Sequence, residues 1–318
     1  MLDPRDIYDV DVDVAERVDA TAARGTGPVL VHAVQGFVDA GQAGQVAVDH
    51  LLRAGTGERL VTFDADQLVD YRSRRPAMTF DSGWTHYAVP EIVVDLLTDA
   101  QGVPFLLLHG LEPDVQWERW VAAVRQVVER FDVPLVVGLH GIPMGVPHTR
   151  PVSVTAHATR AELVADHTSF FGTVQVPASA SALLELRLGE AGHDAMGFAV
   201  HVPHYLAQSP FPAAGLAGLR HVERSTGLDL GLAELEPAAA DAMQEVERQV
   251  AGSTEVAAVV QALEEQYDAF TRSVGRTSLL AQATDLPTAE EIGAELERFL
   301  AEQTEGPAGA GDDVRGAD

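Results

Sequence analysis

The sequence predicts an α/β fold in which helices cover both faces of a largely parallel sheet. Residues 28–34, 103–109 and 133–140 are continuous apolar runs, which are typical of strands buried on both faces. Segments with helical periodicity alternate with these runs along the chain, as in other folds of this class. The 318 residues are enough to bury a core without a disulfide or a structural metal.

The N-terminal part of the chain predicts an extended segment followed by a strand and a helix. Residues 9–14 alternate Asp and Val, and this period of two favours an extended surface segment or a charged edge strand. Residues 28–34 predict the first buried strand, which Gly36 ends. Residues 40–54 then predict a helix, and Asp39 is well placed to cap its N-terminus.

The next elements continue the same alternation up to residue 202. A helix over 113–131 separates two buried strands, because its apolar residues recur at helical spacing. The predicted strands are 59–63, 103–109, 133–140, 152–158 and 196–202, and a further predicted helix covers 179–188.

The composition becomes more acidic near Glu236, where we expect a helical segment to begin. Helices are predicted over 237–250, 255–274 and 288–301, and the last begins with the capping box Thr288 and Glu291. The expected organisation is an extended segment (1–27), an αβα core (28–235), an acidic helical segment (236–304) and a mobile tail (305–318).

The charge of the chain excludes several classes of function. All 21 basic residues are arginine, against 48 acidic residues, which gives a net charge of −27. Such a charge repels nucleic-acid backbones and anionic membranes, so neither is an expected partner. The absence of lysine excludes a Walker lysine and a Schiff base, and the absence of cysteine excludes disulfides and thiolate chemistry. With no signal peptide or membrane-spanning run recognised, we expect a cytoplasmic protein.

Two loops that follow buried strands carry the candidate site. Glu112 and Asp114 follow the run 103–109, whereas His148 and Arg150 lie in the Gly- and Pro-rich loop 140–151. Ligands of open α/β sheets bind at the carboxyl ends of the strands, so these four side chains could line one cleft for acid–base work or anion binding. The alternative is that His148 and Arg150 only hold their loop in place.

Two further segments have a functional and a structural interpretation. The turn 35–41 could bind a nucleotide, but its glycine spacing is not GxGxxG and Asp39 would compete with a phosphate. Residues 64–76 lack the glycine and glutamate of a calcium loop, and favour a short helix with Asp70 and Arg74 paired. Their arginines could instead bind a carboxylate of a neighbouring subunit.

No complete catalytic or metal-binding motif is present. The twelve histidines do not form HExxH, and GxSxG is missing. We therefore expect no metal, no cofactor and no identifiable catalytic residue.

Five stretches of the chain resemble the proteasome assembly chaperone family, in its bacterial branch. They are residues 36–41, 64–76, 110–117, 147–151 and 201–206. The resemblance implies a three-layer αβα domain of the phosphorylase/hydrolase type with a mixed sheet, a helical C-terminal addition, and assembly as a homo-oligomer, of which a trimer is one form. Eukaryotic members often end in a hydrophobic residue, Tyr and one further residue, but this chain ends Arg-Gly-Ala-Asp, so docking by that route is not expected.

The sequence therefore favours a non-enzymatic interaction or assembly-chaperone-like protein of unknown partner. The alternative is a small-molecule-binding protein, or an enzyme of the hydrolase or phosphorylase type, with a site at the carboxyl ends of the strands.

Overall fold

The computed structural model describes residues 2–22, 25, 27–167 and 173–274. Residues up to Asp268 belong to one compact unit, and the described residues of the second unit, 269–274, are the end of a helix. The strands are β1 (Tyr8–Val10), β2 (Leu30–Gln35), β3 (Glu58–Phe63), β4 (Met78–Phe80), β5 (Trp84–Tyr87), β6 (Ile92–Thr98), β7 (Pro104–Leu111), β8 (Val136–Met144), β9 (Val154–Ala158) and β10 (Ala195–Pro203). The helices are α1 (Val12–Ala22), α2 (Ala43–Ala54), α3 (Ala65–Leu68), α4 (Trp117–Arg130), α5 (Ala180–Glu190), α6 (Pro212–Thr226), α7 (Glu236–Ala251) and α8 (Thr254–Val274).

One large mixed sheet organises the described chain. Its strand order is β1-β3-β6-β7-β2-β8-β10-β9. The four neighbours β7, β2, β8 and β10 are mutually parallel, whereas β6 and β9 run against the strands beside them. The carboxyl ends of β7, β2 and β8 therefore lie together at one edge of the sheet.

Helices pack on both faces of this sheet and form two apolar cores. On one face, α1, α4 and α5 cover strand residues such as Leu106 and Val136, with Trp120 fully buried among them. On the other face, α2 and α6 cover Leu107 and Phe198. Burying a large apolar side chain contributes about 1.5–3 kcal/mol, so two such cores stabilise the layered arrangement. The predicted α/β fold with three αβα layers is confirmed.

The interpretation of residues 9–14 as one extended segment is wrong beyond Val10. Strand β1 is an edge strand, but α1 begins at Val12. Val14 and Val18 are buried, which is helical spacing, and the Asp11 carboxylate accepts a hydrogen bond from the Val14 amide at 2.9 Å. The alternation of Asp and Val thus contains both a strand and the start of a capped helix.

Several elements were not predicted. Strand β6 contains Asp95 within its apolar run, and α6 is rich in small residues. The hairpin of β4 and β5 forms a separate two-stranded sheet.

Helices α7 and α8 match the predictions over 237–250 and 255–274, whereas the helix predicted over 288–301 and the tail 305–318 lie outside the described residues.

The helices within the described ranges are all too short or too polar to span a lipid bilayer.

Candidate functional site

Two open depressions lie where β2 and β7 end. The larger, of about 710 Å³, is lined by residues 35–40 of the turn after β2, by Pro143 at the end of β8, and by Ala207 and Gln208. The smaller, of about 390 Å³, is lined by Arg74 to Pro76, by residues 88–91, and by His109 and its two successors in β7. Gln35 lines both, so they are neighbours at one edge of the sheet.

Glu112 connects three segments of the chain and is buried. Its Oε2 accepts a hydrogen bond from the Phe37 amide at 3.1 Å, and its Oε1 accepts one from the Ala180 amide, at the start of α5, at 2.7 Å. Its own amide donates to the Gln35 carbonyl. Both carboxylate oxygens are therefore used to join the turn after β2 to helix α5.

Asp114 holds the segment that follows α3. Its Oδ2 accepts a hydrogen bond from the Asp70 amide, and its Oδ1 pairs with Arg74 Nη2, each at 2.9 Å. The predicted pairing of Asp70 with Arg74 is wrong, because the Asp70 carboxylate instead accepts the amide of Arg72. The predicted short helix covers only α3, since the next residues form turns around these two carboxylates.

His148 and Arg150 lie in the loop after β8 and face other partners. The Tyr205 hydroxyl accepts a hydrogen bond from the His148 amide at 2.9 Å and lies 2.7 Å from His148 Nδ1. Burial lowers the pKa of His148. Arg150 forms a two-bond ion pair with Asp268 of α8, each bond 2.8 Å long, and this pairing raises the pKa of Arg150.

The four candidate residues fall into two groups in the structure. Glu112 and Asp114 belong to one network that meets at the Gln35 carbonyl. The Glu112 amide donates to this carbonyl, and so does Arg74, which pairs with Asp114. His148 and Arg150 belong to the loop that contacts Tyr205 and α8. Within the described ranges, no hydrogen bond or ion pair links the two groups. A shared acid–base or anion site among them stays a prediction.

The helix predicted over 40–54 begins at Ala43 with Gln42 in the N-cap position, but the Asp39 carboxylate still bonds to the first turn of α2 and also to a neighbouring strand. Its carboxylate accepts hydrogen bonds from the amides of Gly44 at 2.9 Å, Gln45 at 3.1 Å and Gly141 at 2.9 Å. Burial raises its pKa, although these three backbone hydrogen bonds oppose the shift. A phosphate at this helix end would meet a carboxylate that already occupies the amides, which argues against nucleotide binding here.

A buried polar network beside the smaller depression was missed. His109 Nε2 lies 2.8 Å from Asp95 Oδ2, and Arg59 Nε donates to Asp95 Oδ1 at 2.6 Å. Burial opposes the charge on Asp95, but the hydrogen bonds from His109 and Arg59 outweigh it and lower its pKa. Asp95 within the apolar run of β6 was the signal in the sequence, because a carboxylate there needs a partner.

Histidines on one face of the sheet were missed as well. His32 fits against Gly138 of the adjacent strand, where a Cβ would lie 2.7 Å from its Nε2, and His157 fits in the same way against Gly197. Burial lowers the pKa of His32 and of His140 to about 4. Among the described residues, no group of three or more His, Asp or Glu side chains is arranged to hold a metal ion.

The chain is similar to a protein family and to several solved structures. The model of the PAC2 family matches residues 33–250. A solved Mycobacterium tuberculosis protein of unknown function, Rv2714, is 46% identical, with 94% of this chain and 97% of that chain covered and a TM-score of 0.81. A Corynebacterium glutamicum protein of unknown function is 37% identical, with 83% and 97% covered and a TM-score of 0.78.

A third solved structure has a more informative description. The Mycobacterium tuberculosis proteasome-assembly chaperone homologue Rv2125 is 28% identical, with 73% of this chain and 99% of that chain covered and a TM-score of 0.68. None of the curated proteins matches the chain significantly.

Proposed function

The chain belongs to the PAC2 family, and we propose that it is a non-enzymatic, assembly-chaperone-like protein that acts through protein contacts as a homo-oligomer. The resemblance to proteasome assembly chaperones, carried by the five stretches between residues 36 and 206, agrees with the family match and with the description of Rv2125. The acidic charge and the absence of cysteine fit a cytoplasmic location.

The observation that carries the oligomer is the exposed apolar hairpin of β4 and β5. Phe80 and Trp84 are 64% and 69% exposed, and their rings contact each other edge to face, 5.2 Å apart. Met78, Tyr87 and Val89 add further exposed apolar surface. A two-stranded hairpin is marginally stable in water by itself, and contiguous exposed apolar patches mark interaction sites.

The occupant we propose for the hairpin surface is a second copy of this chain. Residues 71–89 carry three arginines and one aspartate, whereas the whole chain has a net charge of −27. The three arginines lie just before the hairpin, and Arg74 is already paired with Asp114, so Arg72 and Arg75 are the positive groups that complement the acidic surface of a second copy. Contacts between a hairpin and a different face of the next copy form a ring when the rotation from copy to copy closes, and a trimer is one such ring.

Three of the four candidate residues give little support to the enzyme alternative. Both oxygens of Glu112 and both of Asp114 are used by backbone or arginine partners, and Arg150 is paired with Asp268. A general acid or base needs a hydrogen bond to the reacting group instead. The alternative that keeps support is a small-molecule site, because a depression does lie at the strand ends.

Multi-angle light scattering of the full chain at several concentrations tests the oligomer. We expect a mass that is a multiple of the 33.9 kDa protomer. A monomer at every concentration would contradict the homo-oligomer. For the chaperone-like role, the purified chain is added to refolding or assembling client proteins, and an unchanged yield of assembled client would contradict that part.

A further inference from the structure

The larger depression lies where the connections of the sheet change direction. After β2 the chain passes through α2 to β3, which lies towards the β1 end of the sheet. After β8 it continues to β9 and β10, which lie towards the other end. Because β2 and β8 are neighbouring parallel strands, the gap beyond their carboxyl ends is a topological switch point, where open α/β sheets bind ligands. Residues of the turn after β2 and Pro143 of β8 line this gap.

The backbone beside this depression has an uncommon conformation. Gln42, which lines it, has φ 51° and ψ 37°, and Gly41 before it has φ 64°. Two consecutive left-handed residues are costly when one of them carries a side chain, and such backbone strain is concentrated at functional sites. The strain agrees with a binding role, and the lining side chains indicate the chemical class of the ligand.

The side chains that line the depression include four carboxamides and one exposed aromatic ring. Gln35, Gln42, Gln45 and Gln208 all line the depression, and Phe37 at its rim is 77% exposed. Gln35 Nε2 donates to Gln45 Oε1, and Gln45 Nε2 donates to Asp49 Oδ1 at 2.6 Å. Within the described chain, no hydrogen bond uses the side chains of Gln42 and Gln208. A carboxamide offers an N–H donor beside a C=O acceptor, and an aromatic ring offers a flat apolar face. Together they complement a planar amide.

The charges and hydrogen bonds at the depression favour a neutral ligand. Asp39 is the one ionisable side chain that lines it among the described residues, and its two oxygens already accept three backbone hydrogen bonds. The nearby Glu112 oxygens are used in the same way. An anion would be repelled by both carboxylates, and a cation would have to compete with the backbone donors that these oxygens already accept.

We propose that the depression at the end of β2 binds a neutral ligand that carries a planar amide, a lactam or carboxamide group. The amide pairs with the carboxamides of Gln42 and Gln208, and its flat face stacks on Phe37. The volume of about 710 Å³ lies within the usual range for small-molecule sites. This inference goes beyond the interaction role and does not depend on the hairpin or on the oligomeric state.

Three probes of nearly the same shape test the charge preference. Saturation-transfer NMR on the full chain compares benzamide, which is neutral, with benzoate and benzamidinium at equal millimolar concentrations. We expect a signal with benzamide and a weaker or absent signal with the two ions. Uracil and N-acetylglycinamide then compare a lactam ring with a peptide amide. Absence of benzamide binding, or equal binding of either ion, would overturn the proposal.

Two variants locate the site without disturbing the core. Phe37→Ala and the double variant Gln42→Ala/Gln208→Ala remove exposed side chains, so we expect melting temperatures close to that of the unsubstituted chain. Benzamide binding should weaken about tenfold or more, which is the loss of about 1.4 kcal/mol of binding free energy. Gln249→Ala, at an exposed position of α7, is the matched control and should leave binding unchanged. Unchanged binding in both test variants would overturn the location.

Discussion

The Asp39 carboxylate accepts a hydrogen bond from the backbone amide of Gly141, 102 residues further along the chain, at 2.9 Å. The same carboxylate accepts the amides of Gly44 and Gln45 at the start of α2. One side chain therefore fixes a helix, the turn after β2 and strand β8 relative to each other. The shape of the larger depression depends on this connection.

We expect Asp39→Asn to destabilise the protein by about 1–3 kcal/mol, because a carboxamide has one acceptor oxygen for three buried donors. The measurement is urea unfolding monitored by circular dichroism. Asp241→Asn, at an exposed position of α7, is the control and should change stability little. Equal stability of the two variants would contradict the structural role of Asp39.

Glu112→Gln should loosen the start of α5. The substitution places an amide group opposite one of the two backbone donors that the carboxylate now accepts, from Phe37 and Ala180. An unsatisfied buried donor costs about 1–3 kcal/mol. Hydrogen exchange followed by mass spectrometry should show faster exchange in the first turn of α5.

The matched control for Glu112 is Glu16→Gln, at an exposed position of α1. It should leave exchange in α5 unchanged. If Glu112→Gln leaves exchange and stability unchanged but removes a binding activity, then Glu112 serves a ligand rather than the fold.

Phe80→Ser/Trp84→Ser should shift the light-scattering mass of the protein towards that of the monomer. Both rings are exposed and lie outside the two apolar cores, so their loss should leave the main sheet folded, but it removes the apolar surface that we propose a second copy covers. Val174→Ser/Val176→Ser is the control, because both valines are exposed elsewhere. A double variant of the hairpin that keeps the full mass would reject the hairpin as the interface while leaving the oligomer itself intact.

Stability should fall as the pH decreases from about 6.5 to about 4. Burial lowers the pKa of His32, His140 and His201 to about 4, so the native state keeps them neutral while the unfolded chain binds protons. The free energy contributed by this difference is fully present above pH 6.5 and is lost as the pH falls through that interval.

Unfolding free energies measured at several pH values check this dependence. His32→Leu removes one buried proton acceptor and should make the fall shallower. His204→Leu, at an exposed position, should keep the original slope. A flat profile for the unsubstituted chain would contradict the prediction.

Continuous apolar runs made the central strands predictable. Residues 28–34 and 133–140 correspond to β2 and β8, because a strand covered on both faces must be apolar throughout. Strand β6 was missed because Asp95 interrupts its run, and its partners His109 and Arg59 come from two other strands. Only the assembled sheet shows why that carboxylate is tolerated.

The sequence predicted which strand ends carry polar side chains, but not the contacts that those side chains make. The rule that ligands bind at the carboxyl ends of strands led to Glu112, which lies beyond the end of β7 beside the two depressions. The partners of Glu112 are backbone amides 75 and 68 residues away, and no spacing in the sequence encodes them. The glutamines of the depression were passed over because uncharged side chains carry no catalytic motif.

His32 fits against Gly138 and His157 against Gly197, so the residue tolerated at each glycine depends on the size of the opposing side chain. Replacing either glycine alone by alanine puts a methyl group where an imidazole ring already stands. Shrinking the buried His32 ring alone leaves a gap beside Gly138. A mutational library should therefore recover tolerated changes at these four positions as linked double replacements, with few viable single ones.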